Sequence, residues 1–233
     1  MLDLFFAPAL AEETAAPTTP PTWFQTTFEK FGEISVVNWI ALGVLVLLGI
    51  GLLVVSRQNT KWTPKMLAYA ALAIALSFVL SYIRLAKMLQ GGSITPASML
   101  PLMLFAAAYG VGPGLVAGAA YGLLQFIQDS WMLNIWQFLL DYPIGFGMIG
   151  LTALFSKKGK SLGLYAGIFV ASLCRFIAST LSGVVFFADY APEGMSPLLY
   201  SIGYNGSYML PEMIICIILA IFVAPRILPQ MKK

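Results

Sequence analysis

Asp141, Arg175, Asn205 and Glu212 stand inside long apolar runs, where an unpartnered polar side chain costs several kcal/mol to bury in hydrocarbon. Such residues line a cavity or pair with one another. Asp141 is followed by Tyr142 and then Pro143, while Tyr200 and Asn205 are five residues apart, on neighbouring faces of one helix. Phe186, Phe187 and Tyr190 flank a hinge that carries Asp189, Pro192, Glu193 and Pro197. One carboxylate, one amide and several aromatic faces suit a flat, electron-poor or cationic ring. The rings stack on it, and the carboxylate accepts from its amino groups. Plainer readings stand beside this one. The aromatics also suit a membrane-interface belt, Asp141 can cap or pair within a helix bundle, and Arg175 with Glu212, on adjacent spans, reads as a structural ion pair.

Other chemistries are excluded by residue type. The chain has no histidine, which removes His-based acid–base catalysis and the usual zinc sites. Cys174 and Cys216 are far apart in apolar segments and read as small buried hydrophobes. No phosphate-binding G-x-x-x-x-G-K-[ST] loop occurs, so the chain has no P-loop ATPase of its own.

The elements that must position these residues are membrane helices. The 233 residues are 59% hydrophobic and 10% charged, against about 25% charged in a soluble domain, and the mean hydropathy is +0.85. Residues 1–35 form an arm with the Pro/Thr linker TAAPTTPPT, and 36–56 is an apolar stretch long enough to span the bilayer as an anchor helix. Further apolar runs lie at 65–87, 94–109, 114–128, 134–155, 162–187 and 198–223. The third and fourth of the seven runs are short for a full span. Gly110, Gly114, Gly118 and Gly122 recur every four residues and predict a flat groove for a neighbouring backbone. Ala71 and Ala75 make a similar small-residue pair in the second span.

Charge sets the orientation. With seven alternating spans, Arg57, Lys61, Lys65, Lys157, Lys158, Lys160, Arg226, Lys232 and Lys233 share one side, while most acidic residues share the other. The positive-inside rule puts the basic side and the C-terminus in the cytoplasm and the N-terminal arm outside. Lys30, Arg84 and Lys87 run against the pattern, the last two being able to snorkel from a helix end. By composition and spacing, then, the chain is an all-α integral membrane protein with an outward polar-aromatic pocket.

Three stretches carry a resemblance over residues 64–224: GGSITPASMLPLMLFAAAYGVGPGLVAGAAYGLLQF, QFLLDYPIGFGMIGL, and the run from Cys174 through YAPEGMSPLLYSIGYNGSYMLPE. They resemble the thiamine-specific substrate-binding (S) components of energy-coupling factor (ECF) vitamin transporters. The resemblance implies a compact six-helix S-component bundle at 64–224, here preceded by one extra N-terminal transmembrane helix at 36–56 and followed by a basic cytoplasmic tail at 225–233. It implies a multi-pass protein of the bacterial cell membrane that is not an enzyme and uses no cofactor. Thiamine is the ligand, and ATP is used by partner subunits. Those partners are an ECF module of one transmembrane coupling protein and two cytoplasmic ATPases, docked through Ala71 and Ala75.

For the ligand, the resemblance implies Asp141, Tyr142, Arg175, Ser179, Gly183, Phe187, Tyr200 and Asn205, with the loop at Gly92 helping to cover it. Ser179 stands where members can carry a His, and it offers a hydroxyl with less reach and no ring face. Asp141 stands where some have Glu, one methylene longer. Three other readings remain. They are an S component for a related heterocycle such as a thiamine precursor, an intramembrane transferase using Asp141 and Asp189, and a structural scaffold.

Overall fold

The computed structural model describes residues 61–88, 91–129, 132–133, 135–156 and 161–232, together with Gly43. The arm expected at 1–35 and, but for Gly43, the anchor helix expected at 36–56 lie outside them. Among the described residues there are six helices and one two-stranded hairpin.

Helix α1, Pro64–Ser81, starts where Pro64 supplies a preset φ and the Thr63 hydroxyl accepts the N–H of Met66 at 3.2 Å. It buries Met66, Ala70, Ala73, Ser77 and Ser81, and turns Leu67, Ala71, Leu72, Ala75, Leu76 and Val79 outward. Helical periodicity in the sequence extends to Lys87, but the helix stops at Ser81. The backbone of the following residues is satisfied across a hairpin instead. Strands β1 (Ala86–Lys87) and β2 (Ser93–Ile94) pair antiparallel, and the N–H groups of Leu85 and Met88 donate to Ile94 O and Gly92 O. Gly91 and Gly92 close it with φ of +90° and +87°, a region costly for residues with a Cβ. Arg84 and Lys87 therefore do not snorkel from a helix end. Both reach Asp129, at 3.0 and 3.1 Å.

Helix α2, Leu100–Tyr109, is apolar and only ten residues long, as its sequence length suggested. Gly110, at φ +103°, turns the chain directly into α3, Val111–Gln128. Next comes α4, Ile135–Leu154, which is one rod of changing pitch. It is α-helical at 135–139, widens to a π-helical turn at Leu140–Ile144, and tightens to 3-10 geometry over Met148–Leu154. The widening falls at Pro143, whose ring has no N–H and would clash with the carbonyl four residues back in a regular helix. Gly145 N–H reaches Leu140 O, the five-residue bond of the wider turn. Helix α5, Ser161–Phe186, a short 3-10 turn at Ala188–Tyr190, and α6, Pro197–Lys232, complete the chain. Of the tail expected at 225–233, residues 225–232 continue α6, which takes Pro211, Pro225 and Pro229 within it.

Helices α1, α4, α5 and α6 are long and apolar enough to cross a membrane. The core is aliphatic and aromatic, with Met103, Phe105, Tyr121, Ile149 and Ile168 almost wholly enclosed.

The glycine column packs α3 on α4. A Cβ at Gly118 would run into the carbonyl oxygen of Phe146, and one at Gly122 into that of Tyr142. Gly114 meets Gly150, with 2.8 Å between its virtual Cβ and the opposing Cα. Gly110 has no such neighbour within 4 Å, so it serves the turn and not the groove. Gly118→Val is therefore expected to destabilise the bundle by at least about 1–3 kcal/mol, the usual cost of overpacking a close contact. The check is its melting temperature in detergent, with Gly43→Val as the control outside this contact.

Candidate ligand-binding site

A cavity of about 260 Å³ lies between the hairpin, the end of α1 and helices α3 to α6. All nine residues expected at a ligand site line it. Helix α5 contributes Arg175, Ser179 and Gly183, with Phe187 one more turn along, so a spacing of four puts them on one face. The widened turn of α4 presents Asp141 and Tyr142, α6 presents Tyr200 and Asn205, and the hairpin presents Gly92. Ala71 and Ala75 stay outside, on the exposed face of α1. Asp189 is exposed in its turn and does not line the cavity, so the structure does not bring it to Asp141.

Asp141 is held by its own helix. Gln137, one turn earlier and 1% exposed, donates through Nε2 to Asp141 Oδ2 at 2.6 Å, and accepts the Leu133 N–H at 3.1 Å. Tyr142 rests against Phe126 and Phe138, with ring centroids 5.2 and 5.8 Å away, and its hydroxyl donates to Asp129 O at 3.1 Å. Tyr200, Tyr204 and Tyr208 follow one another along α6 with centroids 6.0 and 6.1 Å apart, forming an aromatic wall.

Arg175 and Glu212 do not form the ion pair expected from their adjacent spans. The Arg175 guanidinium, 9% exposed, lies 4.1 Å from the Phe146 ring centroid, and Nη1 reaches Met99 Sδ at 3.1 Å. Its Nε has no hydrogen-bond partner among the described residues. Glu212 Oε1 instead accepts from Thr95 Oγ1 at 2.5 Å and Ser98 Oγ at 3.1 Å. Hydroxyls entering with α2 take the place the arginine was expected to fill.

Asn205 is already engaged by the protein. Its Nδ2 donates to Ser201 O at 3.0 Å and Ser179 O at 3.4 Å, and its Oδ1 accepts from Tyr208 at 2.8 Å. An amide oxygen has two lone pairs, so one acceptor position is left for a ligand. Gly183 owes its identity first to α6, because a Cβ there would collide with the Ser201 hydroxyl. A Cβ on Gly92 would come within 2.8 Å of the Tyr208 ring.

Several lining residues escape a reading of the sequence. Gln137 is legible as one turn before Asp141, and Tyr204 and Tyr208 continue the spacing from Tyr200. Arg84, Lys87 and Asp129 carry no such signal, because their meeting at the rim depends on the hairpin.

A family model described as "Thiamine transporter protein" matches residues 67–232. A curated relative, "Thiamine transporter ThiT" of Bacillus subtilis, is 37% identical over 161 residues, covering 63% of this chain and 83% of its own. A second, "Thiamine transporter ThiT" of Lacticaseibacillus paracasei, is 30% identical over 147 residues, covering 55% and 73%. Among solved structures, ThiT from Listeria monocytogenes superimposes with a TM-score of 0.64 at 24% identity, over 72% of this chain and 96% of that one, a likeness of fold. The matched region takes in all six described helices except the first few residues of α1, and every residue of the cavity, so the chain is a multi-pass membrane protein and belongs to the thiamine transporter family.

Proposed function

We propose that the chain is the thiamine-binding membrane subunit of an ECF transporter. It captures the vitamin at the outer face and delivers it inward with a separate, ATP-driven coupling module. The observation that carries this reading is one cavity joining a fixed carboxylate, an aromatic wall and the hairpin loop in a chain of this family. Its volume, about 260 Å³, is close to the lower bound of about 300 Å³ for small-molecule pockets. A single vitamin-sized ligand suits that space.

Thiamine joins an aminopyrimidine to a positively charged thiazolium ring with a hydroxyethyl arm. Asp141, oriented by Gln137, accepts from the amino group of the pyrimidine. Phe187, Tyr142 and Tyr200 offer ring faces to the two heterocycles, the cationic ring gaining most from them. Asn205, through its remaining lone pair, and Ser179, through its hydroxyl, set the ring orientation. Arg175 shapes the floor beside Phe146, and Gly92 belongs to the cover. The protein is a binding subunit and not an enzyme, and the ATP is hydrolysed by its partners.

Orientation follows from the basic residues, with the N-terminus outside and the C-terminus in the cytoplasm. Ala71 and Ala75, on the outward face of α1, make a shallow track among Leu67, Leu72 and Leu76 for a helix of the coupling protein. Capture and docking thus use separate faces of the molecule.

Calorimetric titration of the detergent-purified chain with thiamine, and with its aminopyrimidine and thiazole halves, tests the ligand. Saturable binding of the whole vitamin is expected. Binding of the aminopyrimidine half alone would give the site to a precursor, and no binding of any would overturn the reading. Asp141→Ala is expected to weaken thiamine binding at least tenfold, about 1.4 kcal/mol; unchanged affinity would remove Asp141 from the site. Ala71→Leu is expected to leave thiamine affinity in detergent unaltered while abolishing co-purification with the coupling module and uptake by cells. Retained uptake would place docking elsewhere.

A further inference from the structure

Glu212 is a buried carboxylate, 3% exposed, that the ligand contacts above do not use. It lies four residues beyond Tyr208, which lies four beyond Tyr204, so the three share one face of α6. Each of them engages the same stretch of chain, the strap at 91–98 that lines the cavity from the hairpin side.

Tyr204 donates its hydroxyl to Gly91 O at 2.8 Å. The Tyr208 ring lies so close beneath Gly92 that no Cβ fits there. Glu212 Oε1 takes both Thr95 Oγ1 and Ser98 Oγ, and the Thr95 hydroxyl also accepts the Ser98 N–H at 3.1 Å. A single carboxylate oxygen therefore holds the turn by which the strap enters α2. Two hydrogen bonds onto one buried oxygen hold firmly, because in a water-poor site opening them leaves both hydroxyls and the acceptor unpaired. The clasp also touches the binding wall, since Tyr208 donates to Asn205 Oδ1 at 2.8 Å.

We infer that Glu212 is a positioning residue for ligand capture. With Tyr204 and Tyr208 it forms a clasp on α6 that holds residues 91–98 across the cavity and sets how slowly a bound ligand escapes. A ligand beneath the strap leaves only when these contacts open, so the clasp governs dissociation more than association. The inference about ligand release rests on the thiamine reading, while the holding of the strap does not.

Two measurements on the full-length protein in detergent separate them. The first is amide hydrogen exchange over residues 91–98 without ligand, and the second is the thiamine dissociation rate by stopped flow. Glu212→Ala and Thr95→Val are both expected to raise exchange in 91–98 and to speed thiamine release about tenfold, with a smaller change in association. Glu212→Gln keeps an acceptor oxygen for the two hydroxyls and is expected to restore slow exchange and slow release. Thr95→Val removes only a hydroxyl and carries the test if Glu212→Ala does not fold. Exchange in 91–98 that is unchanged in Thr95→Val overturns the clasp, as does a Glu212→Gln protein as loose as Glu212→Ala. Faster exchange in a chain whose wild type binds no thiamine upholds the clasp and rejects the ligand instead.

Discussion

The close approach of α3 to α4 is the contact on which the rest of the molecule depends. Three glycines at a spacing of four let the carbonyl oxygens of Tyr142 and Phe146 and the Cα of Gly150 come against the α3 backbone. Any side chain larger than hydrogen would push α4 away, and with it the widened turn that carries Asp141 and Tyr142. In hydrocarbon there is no hydrophobic force pulling helices together, so close backbone packing of this sort does much of the work of association. The Asp141 carboxylate is thus placed by a contact that contains no chemistry at all. Pro143 completes the arrangement, since the π turn it imposes displaces Asp141 and Tyr142 from the positions a regular helix would give them.

The second constraint is the cost of polar groups away from water. The cavity gathers a buried carboxyl group, a half-buried one and a guanidinium, and the structure answers each one separately. Gln137 holds Asp141, two hydroxyls hold Glu212, and an aromatic face and a thioether receive Arg175. With Arg175 held elsewhere, Glu212 stays on the α6 wall bound to Thr95 and Ser98.

The molecule then divides its faces by role. The glycine and aromatic surfaces face inward to α3, α4 and the cavity, while the alanine face of α1 looks outward among leucines. The rim is a different environment again, exposed enough that Arg84 and Lys87 can share Asp129 without deep burial. Ion pairs of that kind contribute little to stability, so their service is to fix the near leg of the hairpin.

Much of this was legible in the residues. Hydrophobicity and length specified membrane helices because only a closed backbone survives in lipid. Glycine recurrence announced the α3 groove, and the order of motifs brought the cavity-lining residues to notice. Local pattern did not reveal where α1 stops, since helical periodicity persists to Lys87, while the hairpin that ends it depends on pairing with residues near Ile94. Nor could spacing choose the partner of Glu212, because Arg175 and the hydroxyls of Thr95 and Ser98 are all distant in the chain, and only the packing of α2 against α6 brings the hydroxyls nearer. The sequence by itself determined the membrane class and the close-packing positions, because those follow from composition and period. The tertiary structure alone decided the strap, the rim and each buried partner, because those depend on distances between segments that no local period encodes.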